Sequence, residues 1–489
     1  MTAKPAAKSA RPKTGGASSA ISPARRKAFA ILLEIERNHG HSDDLLRSPR
    51  VSALSAQDRN LCTTLVMGTL RWQILLDHRI QPLLAKPNAR LDPEIRITLR
   101  LGALQLLFLD RIPTHAAVSE SVALAKSAGH KFAAGMVNAV LRKLAAQPKQ
   151  LHEPASNLTP AQLAEATAHP AWLVERWVAN YGTEAARAIC LHGQRQPELN
   201  IRISSNASPE LEAQLAEQGI VLELGAILTS ARRVISGDIA ASAAFQSGQI
   251  RIQDEGSQLV AELAGHGKNI LDCCAAPGGK TLILAERNLQ AQITACELNP
   301  ARFRALRQRL AETEVHDPNL AGHIEVRQAD AAELTSEPGY GLILADVPCS
   351  GTGTLGRNPE IRHRLELPDL ARHHQHQCAI LRGALRAAGN DSITANTGPV
   401  RVIYSTCSLE PEENSEIIRD VLASSPDWQQ VSLANAIGQL LEEGCLTQSC
   451  LESLLHSIAE DGSLMLLPGR LGPDAATDGF FIAMLEKRS

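Results

Sequence analysis

The fold class predicted is a doubly wound α/β sheet, preceded by an all-helical domain and a small α+β module, and three observations predict it. From Asn269 onward, short apolar runs of strand character alternate with segments of helical period. The first 150 residues carry only three-to-four spacing of Leu, Ile, Val and Ala, interrupted at Pro82, Pro87, Pro113 and Gly129. Between these regions lie short alternating or β-branched runs at 199–204, 221–224, 233–236 and 249–253, with one helical stretch at 210–217. A chain of 489 residues exceeds one ordinary core and suggests about two to four domains.

Taken in order, residues 1–23 are rich in Ala, Lys, Ser, Pro and Gly and read as a disordered basic tail. Residues 24–150 form the helical domain. Ser22 and Pro23 cap its first helix, whose apolar stripe is Ala28, Ile31, Leu32, Leu33 and Ile35, and further helices are expected at 58–76, 92–109, 116–128 and 131–146. Residues 151–170 read as a polar linker, and Pro170 opens another helix to about Tyr181. Residues 171–262 make the α+β extension, ending in a helix at 254–264. Residues 263–489 make the doubly wound domain, with strands at 269–272, 292–297, 323–327, 341–346 and 400–405 and helices at 281–288, 300–312, 368–388 and 412–423.

Charge is segregated along the chain. The net charge is only −3, yet residues 1–150 carry 23 Lys and Arg against 10 Asp and Glu, which points to a polyanionic partner held by the helical domain. Arg96, Arg100, Arg111, Lys126, Lys131, Arg142 and Lys143 are the candidates for an RNA-facing surface. Ten cysteines without a CxxC pair or an apolar leader argue against zinc and against a disulfide framework. No apolar run approaches the ~18 residues that span a bilayer. A cytoplasmic protein with no membrane partner is expected.

In a doubly wound sheet, ligands bind beyond the carboxyl ends of the strands. Asp272, Glu297, Asp330, Asp346, Cys349 and Cys407 all fall there. The first such loop, Cys274-Ala275-Ala276-Pro277-Gly278-Gly279-Lys280, joins a buried strand to a helix N-terminus, and its glycines admit close approach of a ligand carrying a phosphate or carboxylate. Although Gly279-Lys280-Thr281 ends like a P-loop, Cys274 stands where that motif needs glycine, and no G-x-G-x-x-G is present. Glu297 is placed to accept from a ribose diol. Two further loops, Asp346-Val347-Pro348-Cys349-Ser350-Gly351-Thr352-Gly353 and Ser405-Thr406-Cys407-Ser408 with Glu412-Glu413-Asn414 beyond it, each set a thiol at a strand end. A lone cysteine is usually a small buried hydrophobe, the reading kept for Cys62, Cys190, Cys273 and Cys378; two thiols at strand ends are not so explained.

These blocks resemble the motifs of the RNA cytosine-5 methyltransferases, and residues 24–489 are similar to the Sun/RsmB-type small-subunit ribosomal RNA enzymes, which place a NusB-like domain before a Rossmann-like catalytic domain. Supporting stretches are Ile252–Gln258, Val137–Arg142 and Asp478-Gly479-Phe480-Phe481. The resemblance implies S-adenosyl-L-methionine as cofactor, held by the backbone of Cys274–Lys280, by Glu297 at the ribose and by Asp330 at the adenine, with Arg302 assisting. It implies Cys407 as the nucleophile that adds to cytosine C6, Asp346 as the acid contacting base and cofactor, and Cys349 as the thiol that assists release. Because a free thiol has pKa ~8.5, Cys407 needs activation, and Lys280 is one source of positive charge. The implied partner is RNA, 16S ribosomal RNA first, with no metal and a monomeric enzyme. Transfer RNA is the alternative substrate, and a non-catalytic RNA-binding or antitermination factor is the alternative class. The run Arg372-His373-His374-Gln375-His376 looks metal-like, but adjacent helix residues point apart. Segments 389–399 and 434–461 are longer than the family pattern and are expected to be disordered or lineage-specific, and His363 stands where relatives carry an aromatic.

Overall fold

The computed structural model describes residues 21–38, 40–87, 90–147, 157–320, 322–335, 339–389, 399–471 and 477–488. The chain divides into two compact units, Met1–Glu153 and Pro154–Ser489. The expected tail lies outside the described residues except at its end, as does most of segment 389–399.

The first unit is helical, with principal helices Pro23–Asn38, Ala56–Ile80, Pro93–Phe108, Thr114–Ser127 and Ala134–Ala145. Their apolar stripes meet in one core built on Ile31, Leu65, Leu99, Leu104 and Leu141. Two of the expected RNA-facing arginines are corrected. Arg100 is buried and donates to both carboxylate oxygens of Asp77, at 2.7 and 2.6 Å, while Arg96 pairs with Glu36. Twelve of the sixteen residues of Pro93–Phe108 are buried, so Arg100 is held inside by Asp77 instead of projecting to solvent. Lys126, Lys131 and Lys143 remain exposed, and Phe132 beside them is fully exposed.

In the second unit the stretch read as a linker contains a helix, Pro160–Ala166, started by a reciprocal cap between Thr159 and Gln162. The next helical stretch, Ala171–Gln194, is two helices: Gly182, at φ 81°, breaks the first at its expected end near Tyr181, and a second follows it. Strands β1 (Leu199–Ile203), β2 (Val221–Leu224), β3 (Ala231–Ser236) and β4 (Ile250–Ile252) form an antiparallel sheet in the order β2-β3-β1-β4.

The main sheet is doubly wound but mixed. Strands β5 (Asn269–Asp272), β6 (Gln292–Cys296), β7 (Ile324–Arg327), β8 (Leu342–Asp346) and β9 (Arg401–Thr406) are parallel, and three strands absent from the sequence reading complete it: β10 (Trp428–Val431), β11 (Leu464–Leu466) and β12 (Phe480–Lys487). The order is β10-β12-β9-β8-β5-β6-β7, with β12 antiparallel to β9 and β11 paired to β12. Continuously apolar Phe480–Leu485 has no alternation to mark it, because both its faces are buried. Segment 434–461 is not disordered: helices Ala434–Glu442 and Leu451–His456 bury Ile437, Leu440, Cys450 and Leu454 in the main core.

The two sheets are joined by buried charge. Glu286, on the helix Gly279–Arg287, accepts from Arg202 Nε of β1 at 2.9 Å and from Ser204 Oγ at 2.7 Å, and pairs with Arg251 of β4 at 2.5 Å. This network anchors the helix that carries the ligand loop. Removing one partner of such a buried cluster leaves a charge uncompensated, so Glu286→Ala should cost about 3–5 kcal/mol. Chemical denaturation monitored by circular dichroism checks this, and a loss below about 1 kcal/mol would mean the network is solvated.

Candidate active site

Five strand ends build the site. Beyond β5, the chain turns from Cys273 to Gly278, with Ala275 N–H donating to Cys296 O at 2.8 Å and tying the loop to β6. Gly278 has φ 98°, and a Cβ there would stand 2.9 Å from Leu306, so the turn excludes other residues. The helix Gly279–Arg287 starts directly after it. Beyond β6, Glu297 is buried. Its Oε1 accepts from Asn299 N–H at 2.8 Å, while its Oε2 lies 3.6 Å from Arg302 and keeps accepting capacity. Arg302 also donates to Ala276 O at 2.9 Å, clipping the loops after β5 and β6 together. Beyond β7, Asp330 caps its own turn through Ala332 N–H at 2.9 Å.

Strands β8 and β9 are parallel neighbours with Asp346 opposite Ser405. Asp346 is held from both sides: Lys280 Nζ donates to Oδ2 at 2.7 Å and Ser405 Oγ to Oδ1 at 2.7 Å. Lys280 also lies over the Phe480 ring, 5.6 Å from its centroid. Burial disfavours its charge, but Asp346, with a smaller contribution from Cys407, more than offsets this and raises its pKa. The sulfurs of Cys349 and Cys407 are 3.3 Å apart. Gly353 explains part of this convergence. Its N–H donates to Cys407 O at 2.9 Å and its carbonyl accepts from Gly479 N–H at 2.8 Å, and a Cβ on Gly353 would stand 2.5 Å from Gly479 O. The hydrogen bond to Cys407, desolvation and the charges of Cys407 and Glu413 push the Cys349 thiol well up.

Cys274, Ala276, Glu297, Arg302, Asp330, Asp346, Cys349 and Cys407 all line one cavity of about 630 Å³, joined by Leu298, Asn299, Ile380 and His376. Lys280 reaches it through Asp346. Sequence reasoning missed Leu298, half exposed and directly after Glu297, which the strand-end rule could have found. It also missed His376, in the run set aside as not metal-like. That run is divided among three surroundings: His373 binds Glu413 at 2.9 Å, His374 binds Asp420 at 3.1 Å, and His376 faces the cavity. Among the described residues no group of three or more His, Cys, Asp or Glu is placed to hold a metal ion, and no helix is long and apolar enough to cross a membrane.

A parallel sheet with a glycine turn beyond its first strand, an acid with spare acceptor capacity beyond the second and a cavity between them defines a Rossmann-like S-adenosylmethionine-dependent methyltransferase. The chain fits that cofactor in Glu297 Oε2, open toward a diol, and in the tight Gly278 turn. The pattern of the family 16S rRNA methyltransferase RsmB/F matches residues 262–486, that of the NusB family residues 22–146, and that of the RsmF/B-like ferredoxin-like domain residues 169–236. The chain is 32% identical over 470 residues to the Probable ribosomal RNA small subunit methyltransferase B of Bacillus subtilis, covering 94% of this chain and 98% of that one. To the Ribosomal RNA small subunit methyltransferase B of Pseudomonas putida it is 32% identical over 403 residues, covering 80% and 86%. The crystal structure of PH0851 superposes with a TM-score of 0.71 at 22% identity, covering 96% of this chain and 99% of that one, and thus shares the fold. The chain belongs to the RsmB/F family of ribosomal RNA methyltransferases.

Asp272, at the end of β5, is buried with Oδ2 accepting from Thr281 Oγ1 at 2.7 Å, and desolvation pushes its pKa up to about 7. An acid whose folded pKa lies above its unfolded value contributes stability that is lost as pH rises through the folded pKa. Asp272→Asn should therefore match wild type below about pH 4 and gain relative stability from there to about pH 7, by roughly 4 kcal/mol. Denaturant unfolding of both proteins across that range checks it, and a pH-independent difference would contradict it.

Proposed function

We propose that the protein methylates C5 of a cytosine in RNA, 16S ribosomal RNA first, through a covalent bond between Cys407 and C6. The observation that carries this reading is the pair of thiols 3.3 Å apart at the ends of neighbouring strands, above the cavity that also holds Glu297 and Asp330. Methylation of an oxygen or an exocyclic nitrogen needs no thiol, whereas cytosine C5 is a poor nucleophile until a thiolate adds at C6. Two thiols on one cavity suit a reaction in which a covalent bond is first made and then broken.

In this reading, Cys407 adds to C6. Asp346, already oriented by Lys280 and Ser405, meets the base and stabilises the charge that shifts into the ring during addition. S-adenosylmethionine, when bound, supplies the electrophilic methyl group to the activated C5. Cys349 then assists release, in which the C5 proton passes to water and the Cys407–C6 bond breaks to return the Cys407 thiolate. The backbone of Cys274–Lys280 holds the methionine portion, Glu297 the ribose hydroxyls and Asp330 the adenine side, with Arg302 holding the loop in place. The target base leaves any stack to reach the cavity. Residues 24–150, NusB-like, hold the RNA, with exposed Lys126, Lys131 and Phe132 offering charge and a stacking face.

Cys407→Ala should abolish methylation of ribosomal RNA, while Cys349→Ala should accumulate a slow-migrating covalent protein–RNA adduct on a denaturing gel. Sequencing the trapped RNA identifies the target. Methylation by Cys407→Ala near the wild-type rate, or no adduct from Cys349→Ala under conditions where wild type methylates, would remove the two-thiol reading.

A further inference from the structure

Glu413 lies under both thiol loops and does not line the cavity. Its side chain is fully buried. Oε1 accepts from Ser350 N–H at 2.8 Å, from Gln377 Nε2 at 3.1 Å and from His373 Nδ1 at 2.9 Å, and Oε2 accepts from the hydroxyls of Ser350 and Ser408. Ser350 directly follows Cys349, and Ser408 directly follows Cys407. One carboxylate thus grips both cysteine backbones at their next residue, and the two hydroxyls are themselves 3.1 Å apart. Gln377 extends the grip to Pro348 O at 2.9 Å, on the other side of Cys349. Burial works against the Glu413 charge, but these donors outweigh it and hold the carboxyl below its ordinary range. The result is a fixed negative charge beside Cys349, which opposes ionisation there. The Lys280 ammonium acts from the other end of the pair, where it interacts with Cys407.

We propose that Glu413 is a positioning residue that distinguishes the two sulfurs of the pair, keeping Cys349 as the thiol beside the attacking Cys407. The ionisable groups facing Cys349 are Cys407, Glu413 and Tyr404, with Asp346, Lys280 and His376 at the same cavity and His373 acting through Glu413. The inference rests on the reading of Cys407 as the attacking thiol, and it can fail independently of that reading.

The test is alkylation of the full chain by iodoacetamide without RNA or cofactor, with each cysteine followed by peptide mass mapping from neutral to alkaline pH. In wild type Cys407 should label ahead of Cys349. Glu413→Gln should label Cys349 roughly tenfold faster at neutral pH, while buried Cys273 stays unlabelled. Unchanged Cys349 labelling overturns the inference, as does faster labelling that extends to Cys273, which would mean simple loosening. Glu413→Asp retains the charge on a shorter arm. It should keep Cys349 slow while lowering kcat at an unchanged KM for RNA, and Cys349 labelling as fast as in the Gln variant would show that charge is not the cause. Because no RNA is present, these outcomes stand apart from whether Cys407→Ala still methylates.

Discussion

The site depends on the parallel pairing of β8 with β9. With Asp346 opposite Ser405, that register sets the two loops that follow side by side, so Cys349 and Cys407, 58 residues apart in the chain, come to 3.3 Å. A slip of one residue would turn either side chain to the other face of the sheet. The register is secured beyond the strands by backbone contact of Gly353 with Cys407 and Gly479, where a Cβ on either glycine would not fit, and this brings the start of β12 into the same construction. The antiparallel strand β12 lies against β9 and so supports the strand that delivers Cys407.

Around the sulfurs the polar groups are arranged in opposition. Lys280 and Asp346 stand at the cavity, each satisfied by the other, while Glu413 stands beneath the loops with five donors converging on it. Buried charges of this kind persist only when fully paired, and each pairing here also fixes a loop that carries one of the paired thiols. The first half of the Ala171–Gln194 stretch packs against the loop that carries Cys407. Arg176 donates to Glu410 at 2.8 Å and to Glu412 at 2.6 Å, and Trp177 Nε1 donates to Glu410 at 3.1 Å. Much of the framework that orients Cys407 therefore comes from a segment more than 200 residues earlier in the sequence.

The parallel strands and the loops beyond them were legible in the sequence because each pairs a short apolar run with glycine or polar turn residues at one end, a local pattern. The cavity set from Cys274 to Cys407 was legible for the same reason, since the strand-end rule needs only the order of elements. Other features depend on contacts distant in sequence. Arg100 reads as a surface cation until Asp77 is seen beside it, and the grip of Glu413 on both thiol loops depends on Ser350 and His373, distant in sequence, converging on it. Strands β10 to β12 escaped notice because β12 is apolar on both faces and β10 and β11 are only four and three residues long. Segment 434–461 departs from the family pattern only in length: Ile437 and Leu440 have the three-residue spacing of a buried helical face, and Leu454 is buried from a second helix.

The central claim is that the paired thiols direct methylation to carbon C5, and the loss of hydrogen from that carbon tests it most directly. Ribosomal RNA transcribed with tritium at C5 of cytosine is incubated with the enzyme and S-adenosylmethionine, and released tritium is compared with methyl groups incorporated. The account predicts one tritium released to water for each methyl group transferred. Methyl incorporation with the tritium retained in the RNA would place the methyl on another atom and contradict it.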